Sequence, residues 1–244
     1  MKGKLYIVGL GPGGKEDMTL RAVKAIEDSD IIAGYTTYVN LIREMIQGKK
    51  VFATGMMRER ERCEKAVFYA ERGNRVCVVS GGDPGVYGMA GLILEIIAKQ
   101  NSKIEVEIIP GVTSATAGGA LLGAPLMNDF AVISLSDLLT PWDVIQQRIQ
   151  AATRSDFVIV LYNPMSKKRR KHIEKAREII LNYRKSETPV GIVKNIGREG
   201  ETVIVTDLQH MLEYQIDMVT TVIIGNSSTF IKNDRMITPR GYEV

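Results

Sequence analysis

The sequence predicts an α/β protein with parallel and mixed sheets, on three observations. Short β-rich runs alternate with helix-length amphipathic stretches, the pattern of parallel strands joined by crossover helices. Glycine-rich turns follow two of those runs, at Gly9 and at Gly81. A stop at Pro110-Gly111 separates this series from a second one that is richer in consecutive strand candidates, so the second sheet is expected to be mixed. A length of 244 residues allows either one large domain or two compact halves. The stop, and the Ala/Gly-rich segment behind it, place an inter-domain hinge there and give two α/β domains, residues 1–113 and 114–244.

The elements follow in order. Lys4–Val8 is a strand leading into the first glycine turn, and Leu20, Val23 and Ile26 recur at helical spacing before the apolar run Ile31-Ile32-Ala33. Ile42, Met45 and Ile46 mark one more helix, and Cys63, Ala66, Val67 and Ala70 another. Arg75–Val79 reads as a buried strand, Leu92, Ile93, Ile96 and Ile97 as one side of a helix, and Glu105–Ile109 as a further strand. Past the hinge, strands are expected at Phe130–Leu135, Phe157–Tyr162, Val190–Val193, Val203–Val205 and Val219–Ile224. Thr140 followed by Pro141 predicts a capped start for a helix over Trp142–Ala152.

Composition narrows the function classes. A hydrophobic fraction of 45% and a charged fraction of 25% are those of an ordinary globular chain. No apolar run is long enough for a membrane-spanning helix, so a cytoplasmic address without membrane partners is the expectation. Cys63 and Cys77 have neither C-x-x-C spacing nor a nearby His pair; both read as buried fillers, and no protein-held metal is expected. The formal charge of +4 permits nucleic acid without demanding it.

Gly9-Leu10-Gly11-Pro12-Gly13-Gly14 satisfies G-x-G-x-x-G after a strand, the context of a dinucleotide site and hence of an NAD-dependent dehydrogenase. Pro12 removes one backbone donor and Lys15–Met18 delays the helix, both against a pyrophosphate seated on a helix start. Ser80-Gly81-Gly82-Asp83-Pro84-Gly85-Val86-Tyr87-Gly88 lies at the end of another strand. There, Asp83 sets a negative charge among bare peptide groups, which suits a cationic sulfonium cofactor better than a phosphate; a tight turn with Asp83 as helix cap is the alternative.

Gly9–Gly13, Gly81–Pro84, Pro110–Ser114 and Tyr162-Asn163-Pro164, in this order, resemble the tetrapyrrole methyltransferase family, also called class III methyltransferases. The likeness runs nearly end to end, through Ser134–Trp142, Leu161–Arg170, Thr220–Ser228 and Thr238–Tyr242. It is nearest to the branch that methylates C17 of precorrin-3B or cobalt-factor III in cobalamin biosynthesis, with ring contraction. The resemblance implies a two-domain fold with S-adenosylmethionine in the inter-domain cleft, a homodimer, and a polyacidic tetrapyrrole as substrate. By motif, the cofactor contacts are Leu10, Gly81, Asp83, Val86, Tyr87, Thr113 and Ser114, and further on Asn163, Ile196, Gly197 and Thr221. The chain departs from that branch at Asn128, where His is common.

Methyl transfer to an electron-rich carbon asks for alignment and exclusion of water more than for a strong base. Ring contraction needs proton movement, for which hydroxyls and carboxylates are candidates. Ser134 and Asp137, with Ser136, follow an apolar strand and precede a helix start; they are the candidate catalytic groups, against a reading in which they only satisfy turn backbone. Arg58, Arg60 and Arg62, and the run Lys167–Lys171, are candidates for substrate carboxylates, the run having a solvated helix face or RNA contact as alternatives. His172 and His210 lack metal-ligand spacing and read as surface or structural. The rivals are the same fold acting on another precorrin, on RNA or on a protein, and the dehydrogenase.

Overall fold

In the first strand, β1 (Lys4–Gly9), Leu5 and Ile7 are buried on one face of the sheet while Tyr6 and Val8 are buried on the other. Period-two side chains buried on both sides require a sheet covered on both faces, and parallel crossovers supply the covering helices. The computed structural model describes residues 3–167 and 169–243. It divides into two units, Met1–Thr113 and Ser114–Val244.

The first unit continues with α1 (Leu20–Glu27), β2 (Ile31–Tyr35), α2 (Thr36–Leu41), β3 (Lys50–Thr54), α3 (Glu59–Glu71), β4 (Arg75–Ser80), α4 (Ala90–Gln100) and β5 (Glu105–Ile109). Its sheet has the order β3-β2-β4-β1-β5 with every pair parallel. One face packs α1 through Ala22, Ala25 and Ile26; the other packs α3 and α4 through Ala66, Val67, Ala70 and Ile93. From β1 the chain goes to β2 on the far side of β4, whereas from β4 it goes to β5 on the far side of β1. The strand order therefore reverses between β1 and β4, and ligands of open α/β sheets bind outside the carboxyl ends of the strands at such a point.

The second unit comprises α5 (Ser114–Leu122), β6 (Gly123–Ala124), β7 (Phe130–Ser134), α6 (Trp142–Arg154), β8 (Val158–Tyr162), α7 (His172–Leu181), β9 (Pro189–Lys194), β10 (Thr202–Asp207), β11 (Thr220–Ile224), β12 (Phe230–Lys232) and β13 (Arg235–Ile237). Its main sheet, β10-β9-β11-β8-β7, is mixed: only β7 and β8 run parallel, and the other pairs are antiparallel. Helices α6 and α7 cover one face and α5 the other. The small residues of α5 serve close packing: Leu122 is fully buried over Gly191, where an added Cβ would lie 2.2 Å from its side chain.

Several expectations are corrected. Ile42, Met45 and Ile46 lie not in an α-helix but at and in a 3-10 turn (Arg43–Ile46), while the α-helix precedes them as α2. Leu20 is 88% exposed, because α1 turns Ala22, Ala25 and Ile26 to the core instead. Pro141 occupies the cap position of α6 and Thr140 makes no capping bond, since the extended backbone of Pro141 already ends the preceding loop.

Candidate active site

Three loops meet at the carboxyl edge of the first sheet. The Leu10 amide donates to the Ser80 carbonyl at 2.9 Å and the Gly11 amide to Gly82 at 3.0 Å, so the loops after β1 and β4 are stitched together. The loop after β5 joins them through Asp83, whose carboxylate accepts from the amides of Gly85 at 2.7 Å and Gly111 at 3.1 Å. Glycine is required here by approach of backbone to backbone. A Cβ at Gly9 would stand 2.6 Å from both the Gly111 nitrogen and the Gly82 oxygen, and one at Gly11 would stand 2.0 Å from the Val112 oxygen.

This geometry decides between the two readings of the glycine turns. Helix α1 begins only at Leu20, capped by the Thr19 hydroxyl accepting from Ala22, and a 3-10 turn intervenes at Lys15–Asp17. Gly14 therefore caps only that 3-10 turn and opens no α-helix, the seat a dinucleotide pyrophosphate needs. Asp83 does not cap α4 either, whose cap is Met89. It holds a turn while keeping acceptor capacity on both oxygens.

The expected contacts of the first unit are brought to one edge, though not all by their side chains. Leu10 is fully buried in the core, its amide held by the Ser80 carbonyl. Gly81 carries no Cβ because the Tyr38 ring would lie 2.5 Å from it. Val86 is half-buried, and Tyr87 is exposed with a left-handed φ of 52°. Thr113 closes the first unit and Ser114 opens α5 in the second.

Strand direction assembles the second unit's residues. Pairing sets the carboxyl ends of β7 and β8 side by side (Ser134 opposite Tyr162) and the end of β9 beside the start of β11 (Lys194 opposite Thr220), with β8 antiparallel to β11. Ser134, Asn163, Ile196, Gly197 and Thr221 thus fall along one sheet edge. The Tyr162 hydroxyl adds the start of α5, accepting from the Ala115 amide at 2.7 Å. Ile196 and Thr221 are buried, at 7% and 5% exposure. Gly197 has a φ of 66° and donates its amide to Glu201 at 2.7 Å.

A polar cluster stands at the β7–β8 end. Asn163, itself at a φ of 50°, donates its side-chain amide to the Ser134 hydroxyl at 3.0 Å, and that oxygen also accepts from the Ser136 amide at 3.2 Å. Buried Arg169 donates to the carbonyls of Leu135 and Asn163 at 2.9 and 3.2 Å and stands 3.6 Å from Asp137. Asp137 meets His172 Nε2 at 3.0 Å, and the His172 ring rests edge-on against Trp142 at 4.2 Å.

Sequence reasoning left His172 out of the site and took Arg169 only as one of a basic run for substrate carboxylates. The signal lay in topology, because two parallel neighbouring strands bring their following loops together. The expected basic face also divides: Arg169 turns inward while Lys167, Arg170 and Lys171 are exposed, and Lys168 lies outside the described residues. Asn128 accepts from the neighbouring Asp129 amide. A groove of about 300 Å³ beside α1, lined by Tyr6, Arg21, Lys24, Asp28 and Glu107, contains none of the expected residues. Arg21 there is bonded to Glu107 at 2.8 Å. Among the described residues, no helix is long and apolar enough to cross a membrane and no three His, Cys, Asp or Glu side chains cluster to hold a metal.

The family model for tetrapyrrole (corrin/porphyrin) methylases matches residues 4–212, most of both units. The chain belongs to that family. This tetrapyrrole methylase is 49% identical over its whole length to the "Cobalt-factor III methyltransferase" of Priestia megaterium, of which it spans 46%. It is 47% identical to the "Probable cobalt-factor III C(17)-methyltransferase" of Salmonella typhimurium, over 98% of this chain and 99% of the relative. The fold is similar to the crystal structure of the methyltransferase CobJ at a TM-score of 0.92 and 32% identity, covering 97% of this chain and 100% of that one.

The residues of this methylase fit a sulfonium cofactor on the ground already described. Bare peptide loops converge where a bulkier residue would collide, and a carboxylate with lone pairs to spare stands among them.

Proposed function

We propose that this methylase transfers a methyl group from S-adenosylmethionine to C17 of cobalt-factor III, with contraction of the ring, in cobalamin biosynthesis. The observation that carries the reading is whole-chain identity of 49% and 47% to two relatives named for that substrate. Catalysis by the tetrapyrrole ligand's own carbon nucleophile agrees with a site made of glycine turns and few titratable groups. Assembly as a homodimer, a cytoplasmic address and the absence of a nucleic-acid partner belong to the same reading.

When bound, the cofactor supplies an electrophilic methyl carbon on a positively charged sulfur. Asp83 sets a negative charge near that cation, and the loops after β1, β4 and β5 shape and dry its surroundings. The candidate cofactor contacts are Leu10, Gly81, Asp83, Val86, Tyr87 and Thr113 in the first unit, and Ser114, Asn163, Ile196, Gly197 and Thr221 in the second. Ser134 and Asp137 are the candidate catalytic groups for proton movement during contraction. His172, held by Asp137 through Nε2, leaves Nδ1 to exchange a proton, the division of labour seen wherever a carboxylate orients an imidazole.

The test is incubation with methyl-labelled S-adenosylmethionine and, separately, cobalt-factor III, metal-free precorrin-3B and ribosomal RNA. Label in cobalt-factor III with a shifted absorbance spectrum is the expected result. Label in RNA alone, or in neither tetrapyrrole, contradicts the reading.

A further inference from the structure

Three arginines among the described residues are buried, and they are not alike. Arg184 pairs with Asp156 and donates to the Phe157 carbonyl at 3.1 Å. Arg169 serves two carbonyls and faces Asp137. Arg62, 2% exposed, has neither a carboxylate nor a carbonyl: it donates to the Thr54 hydroxyl, approaches the Met89 sulfur at 3.6 Å, and its Nε, like that of Arg184, has no partner. A buried guanidinium with five N–H groups is strongly disfavoured when only a hydroxyl and a thioether answer it.

Nothing nearby on α3 supplies the missing charge. Glu61 is taken by Arg58 and Glu64 by Arg60, while Glu59 accepts from the Met57 amide. Burial pushes the adjacent Cys63 thiol up to about 12, against the pull of Arg62, so that neighbour stays neutral. The RERER stretch thus turns two arginines outward into helix-surface pairs and the third inward without one.

The place is informative. Thr54 ends the edge strand β3 and Met89 caps α4 just past the Asp83 loop, so the guanidinium sits at the carboxyl edge of the sheet, between β3 and the start of α4. The chain next to each of its two partners is exposed and carries a non-glycine residue in the left-handed region: Met57 at φ 64°, with Met56, after Thr54, and Tyr87 at φ 52° before Met89. Methionine and tyrosine side chains suit the flat face of an apolar macrocycle. Methionine is also flexible, and its weak contact at 3.6 Å yields readily to an anion.

We propose that Arg62 receives a carboxylate of the bound ligand, namely an acidic side chain of the tetrapyrrole, with Met56 and Met57 against the ring. The inference rests on the proposed function. The ligand carboxylate supplies the counter-charge the fold withholds, and a planar fork matches it in two parallel bonds.

The experiment compares the wild-type chain with Arg62→Met and Arg62→Lys in three measurements: absorbance titration with cobalt-factor III, calorimetry with S-adenosylhomocysteine, and thermal unfolding without ligand. Arg62→Met should weaken tetrapyrrole binding by about 10- to 100-fold, the scale of one charge-assisted bidentate contact. S-adenosylhomocysteine affinity should stay unchanged and the melting temperature should hold or rise, since an uncompensated buried charge has been removed. Arg62→Lys should retain part of the affinity, and it carries the test if Arg62→Met fails to fold. Unchanged tetrapyrrole affinity overturns the proposal, and a loss confined to S-adenosylhomocysteine overturns its source by assigning the carboxylate to the cofactor. A wild-type chain that binds no tetrapyrrole instead overturns the proposed function itself.

Discussion

Replacing Asp83 by Asn keeps one of the two side-chain acceptors, enough for the turn at Gly85, while removing the charge offered to a sulfonium. Because the carboxylate holds the amides of Gly85 and Gly111, Asp83→Ala would disturb the loops as well, and the amide variant is the cleaner probe. We expect Asp83→Asn to fold normally and to bind S-adenosylhomocysteine roughly 10- to 100-fold more weakly, as for loss of a charge-assisted contact. Calorimetry checks it, and undiminished affinity would take Asp83 out of the site. At the other end, His172→Ala should lower kcat by about 10²-fold or more if the imidazole moves a proton, with cofactor affinity intact. A change in KM alone would leave His172 a positioning role. Asp83 was legible in the sequence because glycines isolate it. His172 was not, and Arg169 was legible only as part of a basic run, since what distinguishes both is a partner on the loop of another strand.

Elements were legible where side-chain period and burial agree. The runs in β1, β4 and β8 are apolar through their interiors, as strands covered on both faces must be. β3 escaped notice because it is an edge strand, Lys50–Thr54, with no buried residue, and β6, β12 and β13 are too short to carry a period. The glycines of the second unit carry a packing message that only the structure decodes. Gly191→Ala should destabilise the protein by about 1–3 kcal/mol, because the fully buried Leu122 side chain must move aside in a filled core. Denaturant unfolding measures this, and a neutral result would mean that α5 shifts freely over its sheet. Both thiols are buried in the first unit, and burial pushes Cys77 up as well as Cys63. Neither should react with a soluble thiol reagent until the unit unfolds; rapid labelling of the native chain would contradict that packing.

For the molecule as a whole, the glycine turns and the Tyr162-Asn163-Pro164 motif lie at the carboxyl ends of strands, β1 and β4 in the first unit and β8 in the second. The first sheet explains the location, since its strand order reverses between β1 and β4, where the turns at Gly9 and Gly81 emerge. What sequence patterning could not supply is side-chain partnering, such as Asp137 with His172, or Arg62 with no acid at all. The most direct test is to convert cobalt-factor III with S-adenosylmethionine carrying a ¹³C-methyl group and to locate the new carbon by NMR. The account predicts a single labelled methyl on C17 of a ring-contracted product. A label on any other ring carbon, or none, would contradict it.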